Sequence, residues 1–167
     1  MAGAMSKRDN QNQNIGFVQH QLGSNQISWF MIENLNKLTS YRPHLNIVLF
    51  YEELQALSVV TKFPMMELAW ANNLDGDLIA LDISTALRIR EMNYKSKLFY
   101  YPQQLDWVVK PGHIELYERI YNNDEIEIIA PNKTYGKIIE RVWKKPVETI
   151  RNFDYEQFAT FISERCR

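Results

Sequence analysis

Short apolar segments alternate along this chain with segments whose apolar residues recur at helical spacing. The clearest apolar run, LNIVLFY at 45–51, follows a helical pattern over 27–41, which itself follows the apolar run IGFVQH at 15–20. A strand, a helix and a second strand within about forty residues predict a βαβ unit with a right-handed connection. Because these runs are continuously apolar, we expect strands that are buried on both faces, as in parallel sheets.

The same alternation continues toward the end of the chain. Further strands are predicted over 76–83, 97–101, 125–130 and 146–151, and further helices over 64–72, 85–92, 113–121, 133–142 and from 155 onward. Ser24 or Asn25, Ser84, Asn132 and Asp154 precede helices and are expected to cap them. The sequence therefore predicts one Rossmann-like, doubly wound α/β domain over 15–167, with about six mainly parallel strands and helices on both faces.

Length and composition restrict the class of protein further. The 167 residues are 46% hydrophobic with a net charge of -1, which is typical of a globular domain and gives no general argument for nucleic acid. Residues 1–14 are polar and lack the apolar core of a signal peptide, so we expect a disordered end or a cloning remnant, and a cytoplasmic protein without a membrane span. The single cysteine, Cys166, is expected to be an inert thiol.

The predicted strand ends carry mainly amide, hydroxyl and aromatic side chains. In open parallel sheets, ligands bind beside the carboxyl ends of the strands, where the strand order reverses. Such groups suit a neutral polyhydroxyl ligand or a nucleotide better than an apolar one. We expect ligand contacts from Gly23, Ser24, Asn25, Gln26, Glu52, Thr85, Gln103, Asn132, Lys133 and Asn152.

Three side chains at these ends could act as a general base: His20, Asp82 and Asp106. Each also has a structural interpretation, since a histidine can bond its own loop and an aspartate can cap a helix or brace a loop. Gly23 either lets backbone amides approach an anion or serves as a plain turn residue. The three histidines are too scattered to hold a metal, and no dinucleotide or P-loop fingerprint is present, so no metal or bound cofactor is expected.

The helix predicted over 133–142 has a basic face. The basic residues, which could contact phosphates, are Lys133, Lys137, Arg141, Lys144 and Lys145. Glu140 and Glu148 dilute this charge, and a solvated helix face is the alternative interpretation.

The stretch 128–154, IIAPNKTYGKIIERVWKKPVETIRNFD, resembles the end of the N-terminal domain of GT-B-fold glycosyltransferases. The family has a strand, a polar turn, a helix, a basic connector and a strand that reads roughly Val-x-x-Ile-Pro-Asn-Gly-Val-Asp. Val147, Ile150, Asn152 and Asp154 match this pattern, and Gly23 matches the glycine-containing turn after the first strand. Arg151 replaces the proline, and Phe153 stands where the glycine is expected.

The resemblance implies a standalone, acceptor-side half of a glycosyltransferase. The co-substrate would be a nucleotide-sugar, His20, Asp82 or Asp106 would deprotonate the acceptor, and the amides of 23–26 would face the leaving phosphate. The family's donor domain has no counterpart here, so transfer would need a partner chain or a homodimer. Two alternatives are a non-catalytic module that docks a protein or nucleic acid through the 133–145 face, and a small nucleotide-binding enzyme of another Rossmann class.

Overall fold

The structure, a computed structural model, describes residues 13–166. Most of the predicted polar end, residues 1–12, lies outside the described part of the chain. Gln13 and Asn14, which were included in that end, instead begin the first strand and pair with Leu45 and Asn46. The first strand therefore starts two residues earlier than the sequence predicts.

Seven parallel strands form one sheet in the order β3-β2-β1-β4-β5-β6-β7. The strands are β1 (Gln13–Leu22), β2 (Leu45–Leu54), β3 (Met65–Glu67), β4 (Asp77–Ala80), β5 (Leu98–Tyr100), β6 (Ile126–Ala130) and β7 (Glu148–Thr149). The helices are α1 (Gln26–Tyr41), α2 (Ile83–Glu91), α3 (Asp106–Val109), α4 (Ile114–Tyr121), α5 (Lys133–Val142) and α6 (Tyr155–Arg165). Short 3-10 helices span Leu68–Asn73, Pro111–His113 and Arg151–Phe153. The predicted parallel α/β fold is confirmed.

Helices cover both faces of the sheet, as predicted. Successive side chains of a strand point to opposite faces, so Phe17 packs with α1 and α6 while the adjacent Val18 packs with α2, α4 and α5. Both residues are fully buried. This two-sided burial is the reason why the strands are continuously apolar in sequence.

Gly16 lies in the centre of β1, and side chains of the two neighbouring strands occupy the space beside its Cα atom. A Cβ atom at this position would lie 2.4 Å from Leu78 Cδ2 and 2.9 Å from Phe50 Cε2. Both neighbours are buried side chains of the adjoining strands β4 and β2. The close packing of three adjacent strands therefore requires a residue without a side chain here.

The segment after β2 differs from the prediction of a helix over 64–72. The carbonyl of Pro64 accepts the Leu49 N–H at 3.0 Å, and Met65–Glu67 add β3 to the edge of the sheet. Proline lacks an N–H and is tolerated at the start of an edge strand, so Pro64 begins a strand rather than a helix. Leu68–Asn73 then forms a 3-10 helix.

Asparagine and aspartate cap the helices that follow β1, β4, β6 and β7. Asn25, Asp82, Asn132 and Asp154 each accept a hydrogen bond from the backbone N–H three residues later. Asn25, Asn132 and Asp154 were predicted as caps. For α2 the sequence predicted Ser84 as the cap, but the cap is Asp82. These caps place short polar side chains at the carboxyl edge of the sheet.

The loop after β7 holds two consecutive residues in the left-handed region. Asn152 has φ 48° and Phe153 has φ 55°. The hydroxyl of Tyr101 accepts the Phe153 N–H at 2.9 Å and donates to the Ile150 carbonyl at 3.1 Å. The buried Phe153 ring packs against Phe17, Tyr101 and Phe158. Burial of such a ring contributes about 1.5–3 kcal/mol, which offsets a backbone cost of about 1–2 kcal/mol.

We expect Gly16→Ala to lower the free energy of unfolding by about 1–3 kcal/mol, because the new methyl overpacks a closed part of the core. Gly112→Ala is the matched control, since a Cβ there meets nothing within 4 Å and the backbone φ is not positive. This control should be neutral or stabilising by up to about 1 kcal/mol. Urea unfolding of both variants makes the comparison, and equal stabilities would contradict the packing argument.

Candidate functional site

The strand order reverses between β1 and β4, and a crevice opens at their carboxyl ends. β1 pairs with β4 only over Ile15–Val18, whereas it continues beside β2 to Leu22. The chain leaves β1 toward one side of this point and leaves β4 toward the other. This is the position at which ligands bind in open parallel sheets.

Asp82 bridges the two strands at the reversal. Its Oδ2 accepts the His20 N–H at 2.7 Å, and its Oδ1 accepts the Thr85 N–H at 2.9 Å and the Ser84 hydroxyl at 2.5 Å. The carboxylate is thus a helix cap and a brace for the end of β1. These contacts support the structural interpretation of Asp82 over its role as a base.

His20 forms a pair with Glu52 on the adjacent strand. The parallel register places Gln19 beside Tyr51, so His20 and Glu52 share one face, and Nδ1 lies 2.6 Å from Oε2. When Nδ1 donates to this carboxylate, Nε2 is the unprotonated nitrogen of the neutral ring. Nε2 has no hydrogen-bond partner among residues 13–166, and the His20 side chain is 46% exposed. The pair therefore leaves a basic nitrogen available.

Electrostatics around His20 favour its protonated form. The hydrogen bond to Glu52 raises the pKa of His20 above its ordinary value, burial opposes this shift, and the charges of Glu52, Asp82 and Glu53 add to it. Arg88 Nε lies 3.8 Å from the other oxygen of Glu52. Glu52 is therefore held between two basic side chains.

Asp106 lies in a ring of aromatic residues. Its Oδ2 accepts the hydroxyls of Tyr100 at 2.5 Å and Tyr121 at 3.0 Å. Burial raises the pKa of Asp106, and the two hydroxyl bonds lower it by a smaller amount. The Trp107 ring packs edge-on against Tyr121. Asp106 thus joins α3 to β5 and α4.

The three predicted bases line one hollow of about 360 Å³, which we call the charged hollow. His20, Asp82 and Asp106 share it with Lys110 and with polar groups that include Asn25 and Gln104. Both carboxylate oxygens of Asp82 and the Oδ2 of Asp106 accept hydrogen bonds, whereas Nε2 of His20 has no partner within residues 13–166. This difference favours His20 among three residues that spacing alone left equivalent.

A second hollow, of about 400 Å³, adjoins the first at Ile27, and we call it the neutral hollow. The predicted ligand contacts Gln26, Gln103, Asn132 and Asn152 line it together with apolar side chains. Ile27 is 58% exposed and Phe30 is 43% exposed. Both belong to the helical pattern over 27–41, but the start of α1 extends beyond the core and leaves them exposed.

Several predicted ligand contacts are placed away from these hollows. Gly23 does not have a positive φ, and its N–H donates to Ser28 Oγ at 3.2 Å, so it serves as a turn residue. Ser24 Oγ donates to the Ala56 carbonyl, and Thr85 is fully buried under Asp82. Lys133 is exposed on α5 and lines neither hollow. Gly23, Ser24, Thr85 and Lys133 therefore line neither of the two hollows.

The amides of 23–26 are also partly used within the chain. The Asn25 N–H donates to the Gly23 carbonyl, and the Gly23 N–H is bonded as above. The N–H groups of Gln26 and Ile27, in the first turn of α1, have no acceptor within residues 13–166. The backbone groups that remain free to contact an anion are therefore those in the first turn of α1.

The basic face of α5 is smaller than the sequence predicts. Lys133, Lys137, Arg141 and Lys145 are exposed. Lys144 is partly buried, and its ammonium donates to the carbonyls of Asn123 and Ile126. Burial lowers the pKa of Lys144. Because its ammonium is hydrogen-bonded to these two carbonyls, Lys144 does not belong to the basic face of α5.

A third hollow, of about 820 Å³, lies at the opposite, amino-terminal edge of the sheet. Its groups tie chain segments together: the Lys97 N–H donates to Asp77 at 2.9 Å, and Asn14 Nδ2 donates to the Asp75 carbonyl at 2.8 Å. The Lys97 ammonium donates to the Arg165 carbonyl. We therefore place the candidate site at the strand reversal, on topology and chemistry rather than size.

We expect the pKa of His20 to lie above the ordinary histidine value, because the hydrogen bond to Glu52 stabilises the protonated ring. Glu52→Gln should lower this pKa, since an amide carries no negative charge. Glu53→Gln, on the other face of β2, is the matched control and should shift it less. NMR titration of the imidazole protons, assigned with His20→Gln, measures the pKa, and an unchanged value in Glu52→Gln would contradict the pairing.

Four further findings complete the description of the chain. No cluster of three or more His, Cys, Asp or Glu side chains is placed to hold a metal within residues 13–166. None of the helices in the described range has the length and apolar character needed to cross a membrane. Burial raises the pKa of the Cys166 thiol, which keeps it protonated. Comparison of the chain with protein-family models, curated proteins and solved structures finds no match.

Proposed function

We propose that the chain is the acceptor-side half of a cytoplasmic, sugar-transferring enzyme in which His20 is the general base. The observation that carries this proposal is the His20–Glu52 pair at the strand reversal, with Nε2 unpartnered in the described chain. The charged hollow beside it is of the size that small ligands occupy. Asp82 and Asp106 then act as structural groups that fix the walls of this hollow.

The proposed reaction moves one proton and one glycosyl group. The acceptor hydroxyl gives its proton to His20 Nε2 and its oxygen bonds to the anomeric carbon, while the bond from that carbon to the phosphate oxygen of the nucleotide-sugar breaks. Glu52 stabilises the imidazolium that forms, as a carboxylate does beside a catalytic histidine. The nucleoside diphosphate leaves with the electron pair of the broken bond.

The first turn of α1 supports an approach of the leaving phosphate. The free N–H groups of Gln26 and Ile27 lie at the positive end of a 16-residue helix, and Ile27 also lines the charged hollow, from which the phosphate would approach. Such a helix start favours negative charge. The remaining donor contacts would come from a partner chain or from a second copy of this chain.

The backbone after β7 supports the resemblance to GT-B enzymes. Phe153 stands at the position expected to be glycine, and it has the left-handed φ of 55° that favours glycine. The order of β6, a polar turn, α5, a basic connector and β7 also agrees with the resembled segment.

We expect His20→Gln to reduce glycosyl transfer about 10²–10⁴-fold, the usual contribution of a general base. His44→Gln, which precedes β2 at the other edge of the sheet, is the matched control and should leave the rate unchanged. The assay supplies labelled nucleotide-sugars and an acceptor panel to the chain with its donor-side partner. Below the raised pKa of His20 the rate should fall, because the base becomes protonated. Wild-type rates in His20→Gln would contradict the assignment.

A second candidate, a module that docks nucleic acid, is favoured by the exposed face of α5. Lys133, Lys137 and Arg141 follow at steps of four, and none of them forms an ion pair within residues 13–166. Salt-sensitive retention of DNA or RNA that is lost in Lys137→Glu with Arg141→Glu would support it. Unchanged retention in that double variant would exclude this face as the contact.

A further inference from the structure

The neutral hollow differs from its neighbour in the charge of its lining. Its twelve lining residues include no aspartate, glutamate, lysine, arginine or histidine, whereas four such residues line the charged hollow. A phosphate or carboxylate placed among these side chains would lose water without gaining an opposite charge. The lining therefore favours an uncharged ligand.

The floor of the neutral hollow is apolar and partly aromatic. Ile27 and Phe30 contribute exposed side chains from the first turns of α1, and Tyr135 contributes its ring from α5. Aromatic side chains around a concave site bind planar rings by stacking and by burial of apolar area. A volume of about 400 Å³ accommodates a single ring with a sugar-sized substituent.

Four amide side chains surround this floor. Gln26, Gln103, Asn132 and Asn152 come from α1 and from the loops after β5, β6 and β7. Amides both donate and accept, so they match hydroxyl groups without requiring charge. Asn152 is held in place by its left-handed backbone and by its N–H, which donates to the Pro131 carbonyl at 3.2 Å. The polar rim is thus positioned before a ligand arrives.

We propose that the neutral hollow binds an uncharged ligand that carries an aromatic ring and hydroxyl groups, such as an aryl glycoside. The ring occupies the floor formed by Ile27, Phe30 and Tyr135, and the amides bond the hydroxyls. Resting on the proposed function, this ligand is the sugar acceptor, because the hollow adjoins that of His20 at Ile27. The proposal thereby names an acceptor class where the sequence analysis expected a neutral polyhydroxyl ligand or a nucleotide.

Saturation-transfer NMR with three probes tests this assignment: phenyl glucoside, methyl glucoside and phenyl phosphate. Phenyl glucoside should bind at least tenfold more tightly than methyl glucoside, which lacks the ring, and than phenyl phosphate, which adds charge. Tyr135→Ala should weaken its binding about tenfold, whereas Tyr135→Phe should retain it. Trp70→Ala removes an exposed aromatic side chain outside the hollow and should have no effect.

Two results would overturn the inference: equal binding of the phenyl and methyl glucosides, or preferential binding of phenyl phosphate. Absence of phenyl glucoside binding, or equal loss in Trp70→Ala and Tyr135→Ala, would do the same. The His20→Gln variant separates this inference from the proposed function, since it should bind phenyl glucoside normally and fail in transfer. Normal transfer by that variant would leave the ligand site standing and remove the proposed function.

Discussion

The arrangement of the site depends on where β1 separates from β4. Backbone pairing holds these two strands together up to Val18, and beyond it the Asp82 carboxylate takes the place of a strand by accepting the His20 N–H. This bond fixes the end of β1 while the crevice opens beside it. Because the same carboxylate starts α2, the position of His20 and the start of that helix are set by a single side chain.

Three carboxylates near this crevice have different roles because their neighbours differ. Asp82 is saturated by donors, Asp106 is buried among tyrosine hydroxyls, and Glu52 faces the imidazole of His20. Each environment is assembled from strands and helices that are distant in sequence. The residue type at a strand end therefore limits the chemical roles that the side chain can have. Its hydrogen-bond partners in the folded protein determine which of these roles it performs.

The features that were predictable from sequence are those that depend on neighbouring residues or on the periodicity of apolar residues. Continuous apolar runs indicated buried parallel strands, and Asn25 and Asn132 were readable as caps, because a cap bonds its own first turn. β3 was not predictable, since three residues at a sheet edge exist only through pairing with β2. The exposure of Ile27 and the burial of Lys144 depend on how far each helix extends past the elements beside it. The spacing of apolar and basic residues along the sequence does not give this information.

Phe153 illustrates how a side chain can hold a backbone in a conformation that its own type disfavours. Every L-residue other than glycine meets a similar steric cost at this φ, so alternatives to phenylalanine are ranked by how well they fill the space among Phe17, Tyr101 and Phe158. Glycine would remove the backbone strain but leave a void in the core. A β-branched residue would increase the backbone strain and would also fill the core poorly. The packing of the ring, and not the preference of the main chain, therefore determines which residue type is favoured at this position.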